Sequence, residues 1–327
     1  MFGKFMNNYY YGKSGKGDYQ KDDLPRTRWQ LFWEMLRVRF AGLFRLNIVS
    51  VIAWLPAMYV LIQLMSNLFN IAGVAQTVEM DPSAATPEQL ELVQNLRPLY
   101  NSVIMRSLLL LVPAIAITGP FQAGMAYVTR NWARDEHAFV WSDFKDALIG
   151  NWKQSLVISF ITGLVPLIVY VGYQFYGDMG QQNMLFVVPQ MLTAMLGLVW
   201  TLALVYFYPM MVTYKLNLRT LLRNAFLLSI GRLPQTAGAR LVMLVPALLA
   251  LAVSWFIPAY TIYALMVLAG YYLLIGNALA RFVYASLSNA VFDKFINTRL
   301  EGVQINRGLA KEEDIDEGAD DDEDTEA

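Results

Sequence analysis

Leu241 to Ala280, "LVMLVPALLALAVSWFIPAYTIYALMVLAGYYLLIGNALA", holds no charged residue between Arg240 and Arg281. A helix of about 20 apolar residues crosses a bilayer. This run is twice that length and has "FIPAY", Phe256 to Tyr260, near its centre, so it reads as two crossing helices joined by a turn. Four more uncharged runs precede it, bounded by Arg45 and Glu79, Arg106 and Arg130, Lys153 and Asp178, and Asp178 and Lys215. The composition agrees: 56% of residues are hydrophobic and only 16% are charged, against about 25% charged in a soluble domain. The expected fold class is all-α, a polytopic membrane protein with six transmembrane helices.

The spacing predicts those helices at Leu46–Ser66, Ser107–Val128, Ser155–Phe175, Leu185–Tyr206, Leu241–Phe256 and Thr261–Tyr284. Placing Arg106 at the bilayer centre would cost about 2.5–3.5 kcal/mol, so the second helix is expected to start after it. Arg281 is expected just inside the membrane edge, snorkelling to the headgroups. The chain thus divides into a basic, glycine-rich arm (1–28), a membrane domain (29–300) and an acidic tail (301–327). The domain has an external loop at 67–101 and cytoplasmic loops at 129–154 and 214–240. Eleven of the fifteen residues from Glu312 to Glu326 are acidic, a composition expected to stay unfolded. In the external loop, Thr86-Pro87-Glu88-Gln89 predicts a capped short helix to about Leu96.

Charge sets the expected orientation. Nine of the 25 Lys and Arg residues precede the first helix, four lie from Arg130 to Lys153, five from Lys215 to Arg240 and five from Arg281 to Lys311. Only Arg97 and Arg106 fall on the other side. The positive-inside bias therefore puts both termini in the cytoplasm. The first apolar run starts too far along the chain, and is too long, for a cleavable signal peptide.

The segments entering the first and third spans align without a gap at a spacing of 108, pairing Trp33 with Trp141, Gly42 with Gly150 and Arg45 with Lys153. "TLLRNAFLLSIGRLPQ" is a weaker third copy, with Arg223 in the place of Lys145. Each copy predicts a short interfacial helix leading into a span that carries a proline, Pro56, Pro166 or Pro246. Three helix-plus-hairpin units explain this, as in transporters; so does the general preference of Trp, Lys and Arg for the interface.

Motifs for chemistry are sparse. Gly12-Lys13-Ser14 looks like a phosphate-loop tail, but Asn7 stands where the loop needs glycine and no buried strand precedes it. Cysteine is absent, which excludes thiol catalysis and disulfides. His137 is the only histidine; with Asp135, Glu136 and Asp143 it makes an incomplete transition-metal set, so no metal and no cofactor are expected. Gln63, Gln190 and Asn277, with Thr118 and Thr162, are candidates for a neutral polar path or for helix–helix hydrogen bonds. Arg130, Trp132, Arg134, Glu136, His137, Trp141 and Asp143 form a dense aromatic and two-signed segment. It reads either as a partner-docking surface or as an interfacial helix with its tryptophans in the headgroups. Nothing points to nucleic acid.

"RWQLFWEMLRVRF…RLNIVSVIAWLP" resembles the opening of the YesL-like bacterial membrane proteins, in which an aromatic-rich helix leads into an L-N-x7-L-P helix, here Leu46-Asn47 to Leu55-Pro56. "GPFQAGMAYVTRNWARDEHAFVWSDFKDALIGNWKQS", Gly119 to Ser155, is similar to the same family's GP-x-x-AG, R-N-x-x-R-x-E and D-F…N-W-K-Q stretches. The resemblance implies a domain of unknown function in the bacterial inner membrane, associated with carbohydrate uptake, and it carries no catalytic residues. The expected function is a non-enzymatic protein, embedded in the lipid bilayer, that assists or assembles with a transport system. The alternatives are a channel or carrier for a neutral solute or lipid, and a lipid-active membrane enzyme.

Overall fold

The computed structural model describes residues 25–80 and 85–310. The Gly12-Lys13-Ser14 arm and the acidic run from Glu312 lie outside the described residues. Among the described residues, the regular elements are all helical. They are α1 (Arg28–Met80), α2 (Pro87–Gln94), α3 (Leu96–Ala116), α4 (Thr118–Trp132), α5 (Ser142–Gly180), α6 (Val187–Thr213), α7 (Leu218–Gly231), α8 (Leu233–Phe256), α9 (Thr261–Tyr271) and α10 (Asn277–Phe295). A π-helical segment, Tyr272–Gly276, joins α9 to α10. Six helical stretches are long and apolar enough to span a bilayer: Arg28–Met80, Leu96–Ala116, Ser142–Gly180, Met184–Thr213, Leu233–Phe256 and Pro258–Arg299.

The number of spans agrees with the sequence; their lengths do not. α1 continues past Ser66 for a total of 53 residues, about 80 Å at about 1.5 Å per residue. Most of the expected external loop 67–101 is therefore helix. α3 starts at Leu96, so Arg106 lies within it rather than before it. The expected second helix breaks at Ile117, where Pro120 has no N–H to give the carbonyl of Ala116 and falls in the first turn of the next helix. The capping box at Thr86 is present: Gln89 N donates to Thr86 Oγ1 at 3.3 Å and Thr86 N to Gln89 Oε1 at 2.9 Å.

Two of the three expected interfacial helices are not separate elements. Residues 28–45 and 142–153 run unbroken into α1 and α5. Only α7 stands apart; Asn217 caps its start, accepting from Thr220 N at 2.9 Å, and the chain turns again before Pro234. The aligned glycines also differ in surroundings. A Cβ on Gly42 would meet the Trp132 ring at 2.9 Å, whereas one on Gly150 would meet nothing within 4 Å.

The chain's two described ends lie together, with Ala310 N donating to Pro25 O at 3.1 Å. The packed core sits at this terminal end. It includes Trp132, Phe144, Tyr206, Phe207, Tyr208, Phe282 and Phe292, all buried. α3, α4 and α5 approach closely along their length; a Cβ on Gly163 would stand 2.9 Å from the Val112 backbone, the small-residue packing usual between membrane helices. Ser288 Oγ donates at 3.2 Å to Val205 O, the carbonyl whose helical donor Pro209 removes. The opposite end is thinly packed. α9 has no buried residue, and α8 has only Thr236 and Ala250. Exposed Leu249, Leu251, Met266 and Val267 there suit contact with lipid rather than water.

Candidate functional site

The 40-residue hairpin with its turn at the midpoint brings its two flanking arginines side by side. Both face a cavity of about 220 Å³ to which all six spanning stretches contribute. Arg240 comes from α8, whose actual start at Leu233 places it inside the helix. Its Nε and Nη2 donate to Thr201 O at 2.8 and 2.6 Å, and its Nη1 to Tyr284 OH at 3.2 Å. Arg281 does not snorkel outward as expected. Its Nε donates to Gln122 Oε1 at 2.5 Å, and its guanidinium lies 4.4 Å from the Tyr208 ring centroid.

The π-helical segment sets this arrangement. One extra residue in the turn frees backbone groups from their usual partners, and the fully buried Asn47 of α1 meets them. Its Nδ2 donates to Tyr272 O at 2.9 Å and Leu273 O at 2.8 Å, while its Oδ1 accepts from Ala278 N at 2.9 Å. The bulge fixes the rotation at which Asn277 and Arg281 enter the cavity.

Among the described residues no carboxylate pairs with Arg240 or Arg281, and no acid lines the cavity. The buried Nη1 of Arg281 and the buried indole N–H of Trp54, also a lining residue, have no acceptor. An arginine in a bilayer costs about 2.5–3.5 kcal/mol at mid-depth on insertion scales and less near the edge, and membrane-embedded charges are usually paired. Two cations with only neutral partners and donors to spare thus share one cavity.

Of the candidate polar path, the structure brings Asn277, Thr118 and Thr162 to this cavity. Gln63 is exposed on α1, and Gln190 donates to Tyr173 O at 3.2 Å near the turn end. The docking candidates are also divided. Trp132 and Arg134 are buried. Arg134 pairs with Glu136 at 3.2 Å, and Arg307 reaches the same carboxylate at 3.1 Å. The carbonyl of half-buried Arg130 accepts from Asn289 Nδ2 at 3.2 Å. Asp143 Oδ2 accepts from Phe139 N at 2.8 Å, just before α5. The Arg307–Glu136 pair fastens the loop before α5 to the chain beyond residue 300, so the boundary expected there falls inside a contact. Arg28 and Asp293 form an ion pair, and Asn306 joins it. Burial, then the Asp293 carboxylate, raises the Tyr214 phenol to about 12; it stays protonated and donates to Asn297 Oδ1 at 2.6 Å. His137 and Trp141 remain outward, with the exposed Phe139 against the His137 ring at 4.5 Å. No three of His, Asp and Glu come together among the described residues.

Sequence reasoning missed Arg240 as a site residue. The signal was present: the two arginines bound one acid-free run whose turn lies at its centre, which obliges them to meet.

The class defined here is an all-α chain with six helices long and apolar enough to cross a bilayer, built around a cationic cavity. Residues 99–173 match the family described as "Protein of unknown function, DUF624". The match covers less than half of the chain, from α3 into α5, and includes Thr118, Gln122, Ser159 and Thr162 of the cavity but neither arginine. No curated protein matches, and no solved structure matches.

Proposed function

We propose that the protein is a non-enzymatic, multi-pass component of the bacterial cell membrane that works by holding an anionic group between Arg240 and Arg281. The observation that carries this reading is the pair of arginines in one cavity without a carboxylate partner. It favours a charged occupant over the neutral solute of the alternative channel or carrier reading. In detergent, a saturating short-chain alkyl phosphate should raise the melting temperature by a few degrees, since ligand at about 100 times its Kd adds about 2.7 kcal/mol. An alkyl glucoside of equal chain length should not, and Arg281→Met should abolish the shift. Equal stabilisation by the two amphiphiles would count against an anion site.

Work alongside a transport system, with carbohydrate uptake as its setting, rests on the resemblance to YesL-like proteins and on the outward cluster of His137, Phe139 and Trp141. The charge bias supports placing this cluster and both termini in the cytoplasm. The cysteine-free chain makes one labelling experiment sufficient. Ser83→Cys should react with an impermeant thiol reagent in intact spheroplasts, and Trp141→Cys only after permeabilisation. Labelling of Trp141→Cys from outside reverses the orientation; equal labelling in native and in purified, reconstituted membranes leaves nothing docked there.

A further inference from the structure

Resting on the anion-site reading, we infer that the occupant is the phosphate head of an anionic membrane lipid from the leaflet on the terminal side, with its chains running toward the bilayer centre. The cavity has a polarity along the membrane normal that matches such a molecule. Its only charges, Arg240 and Arg281, stand toward the terminal end with Gln122, Ser159 and Tyr208, whereas the side toward the hairpin turn is uncharged, with Ile115, Leu204 and Leu244 beside the neutral Asn277 and Tyr272. An isotropic site for a small free anion needs no such gradient.

Depth agrees. Arg281 lies about 30 Å along its helix from Thr261, and Arg240 about 24 Å from Phe256, at about 1.5 Å per residue. Exposed Trp255, Tyr260 and Tyr263 mark the turn end as an interfacial aromatic belt. With a hydrocarbon core about 30 Å thick, Arg281 stands near the opposite headgroup boundary and Arg240 about 6 Å deeper, both turned into the cavity, where a lipid phosphate drawn slightly below the boundary would meet them. Basic pockets between helices at this level recognise anionic head groups, and guanidinium donors match phosphate oxygens.

Access is lateral. α9 packs against its hairpin partner and its own bulge but makes no substantial contact with the first four spans, and none of its residues is buried. The space beside the outer half of this hairpin is therefore open to lipid chains on the turn side of the cavity.

The test uses the full chain in phosphatidylcholine nanodiscs doped with phosphatidylglycerol of the same chain composition, followed by native mass spectrometry. One phosphatidylglycerol per chain should be retained, enriched at least about tenfold over phosphatidylcholine. Arg281→Gln should lose the enrichment, Arg281→Lys should restore part of it, and Arg219→Gln, an exposed arginine outside the cavity, should keep it. Partial rescue by lysine separates loss of charge from loss of fold. Retention without preference for phosphatidylglycerol overturns the lipid assignment, and it overturns the anion site as well if inorganic phosphate also fails to stabilise the protein. Inorganic phosphate that stabilises the chain and displaces phosphatidylglycerol at equal concentration keeps the anion site and overturns the lipid.

Discussion

Gly119→Ala should prevent the protein from reaching its normal stability, with a loss of about 3 kcal/mol or more from a single methyl group. A Cβ at this position would lie 2.3 Å from Ser155 O, 2.7 Å from Ser155 C and 2.9 Å from Ser159 Oγ. The first two atoms are backbone of α5, held in its helical hydrogen bonds, and cannot rotate aside as a side-chain tip could. Overpacking of a core costs about 1–3 kcal/mol when neighbours can adjust, so a clash with rigid backbone belongs at or above the top of that range. α4 would have to move away from α5, taking Gln122 and the Arg281 contact with it. Gly150→Ala is the control: its Cβ meets nothing within 4 Å, and alanine in an open helical position stabilises by up to about 1 kcal/mol. Thermal melting of both variants in one detergent decides the matter. A Gly119→Ala protein melting with the parent would show that the two helices can separate cheaply.

Asn47→Leu should have an effect of similar size by the opposite route, removal of partners rather than intrusion. The side chains are close in volume, so packing is nearly conserved. Two carbonyls and one N–H of the π-helical turn would be left in a site that is 0% exposed. Each unsatisfied buried group costs about 1–3 kcal/mol, although hydrogen bonds between membrane helices average nearer about 0.6 kcal/mol; a total of about 3 kcal/mol is expected. The turn can escape this cost by reverting to α-helix, which would rotate everything beyond it by about 100° per residue and carry Arg281 off the cavity. Loss of stability should therefore come with loss of the alkyl phosphate effect. Asn47→Leu that melts lower but keeps that effect would show that the bulge persists without its clamp.

The sequence by itself determined how many helical stretches are long and apolar enough to cross a bilayer. A charge within hydrocarbon is costly enough that long uncharged runs leave no other reading, and the even count brings Pro25 and Ala310 to one end. It did not determine where helices stop. Arg37, Arg39, Arg45 and Arg106 all lie within continuous helices, because the membrane restricts where charges sit and not where helices end; the chain breaks before Pro120 yet runs unbroken through Pro56 and Pro166. The hairpin also implied that Arg240 and Arg281 meet. Only the tertiary structure decided what they face. Asn47 stands in the L-N pattern without revealing a partner more than two hundred residues away, and Trp132 and Arg134 look like surface residues until the chain beyond residue 300 closes over their loop. Which buried groups find partners, and which are left with donors to spare, depends on contacts between distant segments, and no local pattern of residue types encodes them.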